Sequence, residues 1–186
     1  MLRIAIIIGS TRPGRKAEPI AQWAYDIARK RSDADFELVD IADFELPLFD
    51  EPLSPALGQY KHEHTRNWAA KIASFDGYVF VTPEYNHSTS GALKNAIDFL
   101  KLEWINKAAG FIGYGSVMGS RAVEHLRQIM AELQVATVRA QVGLSLFTDF
   151  ENSGIFKPAP MHEKYVNDML DQLVAWSSAL LPLREP

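Results

Sequence analysis

The sequence predicts an α/β protein, a three-layer sandwich whose five-stranded parallel sheet carries helices on both faces. Three observations predict it. Short β-branched runs, apolar on both sides, alternate five times with stretches of helical apolar spacing, a pattern that needs a parallel sheet with right-handed crossovers. Loops rich in Gly, Ser and Thr end the first, third and fourth of those runs. No repeat, low-complexity tract or linker divides the 186 residues, so one domain over 1–186 is expected.

Taken in order, residues 4–8 (Ile-Ala-Ile-Ile-Ile) form the first strand. Ile20, Trp23, Ala24, Ile27 and Ala28 then mark one face of a helix. Residues 36–39 read as the second strand, followed by a Pro-rich loop over 46–55. Trp68, Ile72 and Phe75 mark the second helix, and residues 78–81 the third strand, stopped by Thr82-Pro83. Leu93, Ala96, Ile97 and Leu100 give the third helix stripe, and residues 109–112 the fourth strand, stopped at Gly113-Tyr114-Gly115. Ala122, Leu126, Ile129, Met130 and Leu133 line the fourth helix, and residues 138–146 contain the fifth strand. A loop with Gly154 and Pro158 leads to a closing helix through Val166, Met169, Leu170, Leu173 and Val174. Trp23, Trp68 and Trp176 fall on helix stripes and are expected in the core, whereas Trp104 is expected at an interface. Five such strands favour the order 2-1-3-4-5, in which a ligand crevice opens at the carboxyl ends of strands 1 and 3.

Composition narrows the function. A net charge of −4 argues against nucleic acid or an anionic membrane surface as a general partner. The chain has no cysteine, which excludes thiolate metal sites and Cys nucleophiles and suits a reducing compartment. Met1-Leu2-Arg3 runs straight into the first strand and no apolar run is long enough to span a membrane, so a cytoplasmic protein without a signal peptide is expected. His62-Glu63-His64 has no third ligand in the helix that follows and reads as a solvated polar loop, so no metal is expected.

The loop after the first strand, Gly9-Ser10-Thr11-Arg12-Pro13-Gly14-Arg15-Lys16, is built to hold an anion: backbone N–H groups, hydroxyls and three cations precede a helix N-terminus. Three readings compete. A dinucleotide fingerprint wants glycine where Thr11 stands. A Walker A loop has the Gly9–Gly14 spacing but then requires Lys and Ser/Thr, where this chain has Arg15-Lys16-Ala17, and the third strand ends without an acidic residue. A flavin mononucleotide phosphate site needs only donors such as Ser10, Thr11 and Arg12, with no metal. A plain turn before a helix is the bland alternative.

The turn after the third strand, Pro83-Glu84-Tyr85-Asn86, is polar and aromatic. Tyr85 can lie along a flat ring, and Asn86 can both donate and accept at its edge. Ser90 is placed to cap the next helix. After the fourth strand, Tyr114-Gly115-Ser116 opens a glycine-containing loop whose N–H groups can approach such a ring.

These three segments, together with Gly91-Ala92-Leu93-Lys94-Asn95-Ala96-Ile97-Asp98, resemble the NAD(P)H-dependent FMN reductase family, and the resemblance extends through Glu103-Trp104, Lys107 and Gly115…Gly119-x-Arg121-Ala122. The resemblance implies a flavodoxin-like fold. It implies that Ser10 and Arg12 hold the FMN phosphate, with Thr11, Arg15, Lys16 and Ala17 in the same loop. It implies that Pro83, Glu84, Tyr85 and Asn86 border the ring, and that Tyr114, Gly115 and Ser116 approach its pyrimidine end. Many relatives carry a polar residue at Ala17 and a second glycine at Ser120, two departures in this chain.

The expected activity is a ping-pong reaction: hydride passes from NADPH or NADH to FMN N5, and then to a small-molecule acceptor such as a flavin, quinone or azo compound. No protein group serves as nucleophile or base, since the chemistry lies on FMN. A flavodoxin-like electron carrier without a nicotinamide site is the alternative; Arg12 and Arg15, whose forks suit NADPH phosphates, favour the enzyme. Lys94, Asn95 and Asp98 lie on a helix that the resemblance places in a homodimer, or dimer-of-dimers, interface. The Pro-rich 46–55 loop, or residues of a partner subunit, is expected to set acceptor size.

Overall fold

Five parallel strands in the order β2-β1-β3-β4-β5 form the sheet of the computed structural model, which describes residues 1–152 and 154–184. The strands are β1 (Leu2–Ile8), β2 (Ala34–Asp40), β3 (Gly77–Pro83), β4 (Ala108–Gly115) and β5 (Ala136–Ser145). The helices are α1 (Ala17–Ala28), α2 (Glu63–Ala73), α3 (Gly91–Asp98), α4 (Ser120–Glu132) and α5 (Met161–Leu180). The expected strand order and alternation are therefore what the chain adopts.

Strand β1 shows why both faces must be covered. Ile4, Ile6 and Ile8 enter the core under α1 and α5, whereas Ala5 and Ile7 enter the opposite core under α2, α3 and α4. Every residue of β3 and β4 is buried. In-register pairing sets Ile8 beside Asp40 and Val81, and Pro83 beside Tyr114, so the polar loops leave the sheet along one edge.

Several expectations are corrected. Strand β4 continues through Gly115 instead of stopping at Gly113, because Thr82 and Pro83 keep pairing with it. Residues 150–156 contain a short antiparallel pair, β6 (Phe150–Glu151) with β7 (Ile155–Phe156). Trp104 is fully buried, its indole N–H donating to the Ile97 carbonyl, so it is a core residue and not a surface one. Trp176 is 47% exposed; the buried face of α5 at that turn is carried by Ser177, which a Cβ on Gly77 would strike at 2.4 Å. Trp23 is half-buried, edge-on to Phe156.

At the outer edge, β5 slips register against β4, so that Ala109 pairs with Thr137 but Phe111 pairs with Gln141. The backbone in between is met by side chains. Arg127 of α4 donates to the carbonyls of Val138 (2.7 Å) and Arg139 (3.3 Å), and Gln172 of α5 accepts from the Ala140 amide (3.0 Å).

Candidate functional site

Gly9 carries the chain out of β1 against β3, its N–H donating to the Val81 carbonyl at 2.9 Å; a Cβ there would sit 2.6 Å from that oxygen, so only glycine allows the approach. Ser10 follows, fully buried, and becomes a hub. Its hydroxyl lies 3.2 Å from the Tyr85 hydroxyl and accepts from the Arg12 amide at 3.4 Å, while its carbonyl accepts from Arg15 Nη1 at 2.8 Å. Helix α1 then starts with no side-chain cap, leaving its first N–H groups as donors for an outside acceptor.

The two arginines of this loop separate. Arg15 is clamped on the Asp40 carboxylate through both guanidinium nitrogens, with Glu18 at 3.7 Å, and is half-buried. It braces the loop, and the expectation that it offers a free fork to nicotinamide phosphates is corrected. Arg12 is exposed, and its guanidinium has no hydrogen bond or ion pair among the described residues. Lys16 lies over the Phe150 ring at 4.8 Å.

A cavity of 310 Å³ joins the loops. Arg12, Gly14, Arg15 and Lys16 line it from the first, Pro83, Glu84 and Tyr85 from the second, and Tyr114 and Gly115 from the third. Leu146, just beyond β5, closes it; the sequence reading missed this residue, although its position at the end of a strand on the same edge was a usable signal. Ser10 and Ala17 are buried behind the wall, and Asn86 and Ser116 are exposed beside it. Thr11 lines a separate 330 Å³ cavity with Leu46 and Asn95. The 46–55 loop borders that second cavity, held by Asn95, whose amide donates to the Pro47 carbonyl (2.7 Å) and accepts from the Phe49 amide (2.9 Å). It does not line the cavity of Tyr85 and Gly115.

The Tyr114 side chain turns toward the first loop. Its hydroxyl is buried toward Ser10 and Ala17 yet completes no hydrogen bond, and burial, with Tyr85 nearby, pushes its pKa up, so it stays protonated. Both phenol groups converge on Ser10, forming one wall of the cavity. An orphaned buried donor beside an uncapped helix start and an unpaired guanidinium is a donor set lacking its acceptor, and it fits a phosphate ester.

The other walls are fixed from behind. Glu84 donates its amide to the Tyr114 carbonyl (3.0 Å) and turns its carboxylate to α4, where it accepts from the Arg121 amide (3.2 Å) and Nε (2.5 Å). Gly119 opens α4 with φ +67°, and a Cβ there would lie 2.5 Å from the Tyr114 amide, so the loop folds back on β4 only with glycine. Ser120 adopts the next position, its hydroxyl on the Val117 carbonyl at 2.9 Å. Ser90 caps α3 by accepting from the Leu93 amide (3.0 Å) and donates to the Gly9 carbonyl (2.6 Å). Away from the cavity, Lys94 pairs with Asp98, and His62 and His64 stack and face Asp50.

Residues 2–149 match the family model described as NADPH-dependent FMN reductase. The chain belongs to that family. It is 37% identical over 158 residues to the NAD(P)H-dependent FMN reductase ntnL of Nectria sp, covering 80% of this chain and 79% of that one. It is 34% identical over 169 residues to the NAD(P)H-dependent FMN reductase C4B3.06c of Schizosaccharomyces pombe, covering 90% and 84%. The fold is shared with the flavoenzyme NAD(P)H:(acceptor) oxidoreductase FerB of Paracoccus denitrificans, at a TM-score of 0.76, 21% identity and coverage of 96% and 98%. The family's members are oxidoreductase enzymes that act with FMN. No helix among the described residues is long and apolar enough to cross a membrane.

Proposed function

We propose that this chain binds FMN noncovalently in the 310 Å³ cavity and uses it to oxidise NAD(P)H and reduce a quinone, azo compound or free flavin in alternating half-reactions. The observation that carries this reading is the continuity of one cavity from the unpaired Arg12 guanidinium and the uncapped start of α1 to the bare backbone of Gly115. Arg12, the Ser10 and Tyr114 hydroxyls and the first N–H groups of α1 would hold the phosphate, with Thr11, Lys16 and Ala17 completing the loop. Pro83, Glu84, Tyr85 and Asn86 would border the ring on one side, and Gly115 and Ser116 on the other. FMN, when bound, supplies the redox step, taking a hydride from NAD(P)H and giving it to the acceptor. The protein binds, orients and excludes water; no side chain of the cavity is arranged as a base–nucleophile pair.

The test is direct. Protein mixed with FMN acquires a shifted flavin spectrum that bleaches anaerobically on adding NADPH or NADH and returns on adding a quinone. Parallel double-reciprocal lines at varied NAD(P)H and quinone support alternating half-reactions, and intersecting lines overturn them. Failure to bind FMN overturns the proposal as a whole. The proposal includes a homodimer: light scattering at twice 20.9 kDa or a higher multiple supports it, and the mass of one chain excludes it.

A further inference from the structure

The ring-side turn is strained, and one arginine behind it holds the strain. Tyr85 and Ser88 close a two-residue hairpin, with Tyr85 N–H donating to the Ser88 carbonyl at 2.9 Å and Ser88 N–H to the Tyr85 carbonyl at 3.1 Å. The residues between them, Asn86 (φ 48°) and His87 (φ 76°), both lie in the left-handed region. Such tight turns favour Asn followed by Gly. Here a histidine occupies the glycine position and needs outside support.

Arg121 gives that support. Its Nε and backbone amide bind the Glu84 carboxylate, and its Nη1 lies 3.1 Å from His87 Nδ1. A guanidinium cannot accept, so Nδ1 is the acceptor, and the imidazole is neutral with its proton on Nε2. One side chain thereby joins the end of β3, the left-handed turn and the start of α4. Glu84 and Tyr85 line the cavity in front of it.

We propose that Arg121 is a positioning residue for the FMN shelf, acting through Glu84 and His87, so that losing these contacts loosens the turn and weakens FMN binding. This rests on the flavin reading above. Both Glu84 oxygens are taken up by Arg121. His125 of α4 meets the other end of the turn, its Nδ1 2.9 Å from the Ser88 hydroxyl and its ring 6.0 Å from that of His87.

The test compares wild type, His87→Gly, His87→Ala and Arg121→Lys. Glycine suits the turn without outside support, so His87→Gly is expected to keep FMN affinity within about twofold. His87→Ala loses the bond but keeps the left-handed strain, and Arg121→Lys cannot hold Glu84 and His87 together; each is expected to weaken FMN binding about fivefold, the weight of one lost hydrogen bond, with unchanged circular dichroism. FMN dissociation constants are measured by flavin fluorescence quenching. In flavin-free protein, Arg121→Lys is expected to speed amide exchange at Tyr85 and Ser88. Unchanged FMN affinity in both His87→Ala and Arg121→Lys, or exchange at Tyr85 and Ser88 that ignores Arg121→Lys, overturns the inference. Absence of FMN binding to wild type instead overturns the flavin reading, and the amide exchange then decides the coupling alone.

Discussion

Arg12 and Arg15 stand three residues apart in one loop and are interchangeable cations on paper. The fold separates them because in-register pairing of β1 with β2 delivers Asp40 to the loop's side, and only Arg15 reaches it. A residue type that binds anions was legible in the sequence; which copy is free was not, since the decisive carboxylate comes from another strand. The difference is measurable. Arg12→Ala is expected to cost FMN binding about 1.5–3 kcal/mol while leaving riboflavin binding within about twofold, because the lost charge-assisted bond goes to the phosphate alone. Isothermal titration with both ligands checks it, and equal losses would deny Arg12 that role. Tyr114 teaches the same lesson: its place after a strand was readable, but the direction of its hydroxyl depends on packing against α1.

At the scale of elements, helices were legible because each buries one continuous apolar stripe, and the inner strands because burial on both faces leaves an unbroken apolar run. The misses have physical causes. The β6–β7 pair has two residues a strand and no period to read. Trp104 lies outside any helix, in the turn after α3, yet packs edge-on to Tyr78 and Trp68 because aromatic bulk is needed there. The attachment of the 46–55 loop was also not readable, since it runs through Asn95 of α3, distant in sequence. Asn95→Ala removes both of those bonds. Hydrogen exchange across residues 47–53 is expected to rise at least about tenfold, while global stability falls by only about 1–2 kcal/mol, since the loop contributes little to either core. Unchanged exchange would mean that packing of Phe49 on Phe99 suffices to hold it.

For the whole molecule, the sheet has a binding end and a clamped end. At the clamped end Lys107 is buried, donating to the Ile72 and Ala73 carbonyls and the Tyr78 hydroxyl. Burial, with Arg184 nearby, lowers its pKa from 10.5 to about 8. Between those two values the unfolded chain holds a proton that the folded one has lost, so stability is expected to rise with pH from about 8 to 10, by up to about 3 kcal/mol. Above pH 10 the buried Tyr78, whose pKa is raised, reverses the trend, because the unfolded phenol ionises first. Urea unfolding at stepped pH checks both limbs, and Lys107→Met should abolish the rise.

Because β5 is an outer strand, Arg127 does more than tidy a slipped register. Its guanidinium occupies two carbonyls that would otherwise offer themselves to a strand from another molecule. Arg127→Ala should therefore leave a freshly prepared protein folded but cloud it on standing at high concentration, with turbidity growing as a steep power of concentration. A variant that stays clear would mean that the slip alone is enough to keep neighbouring copies apart.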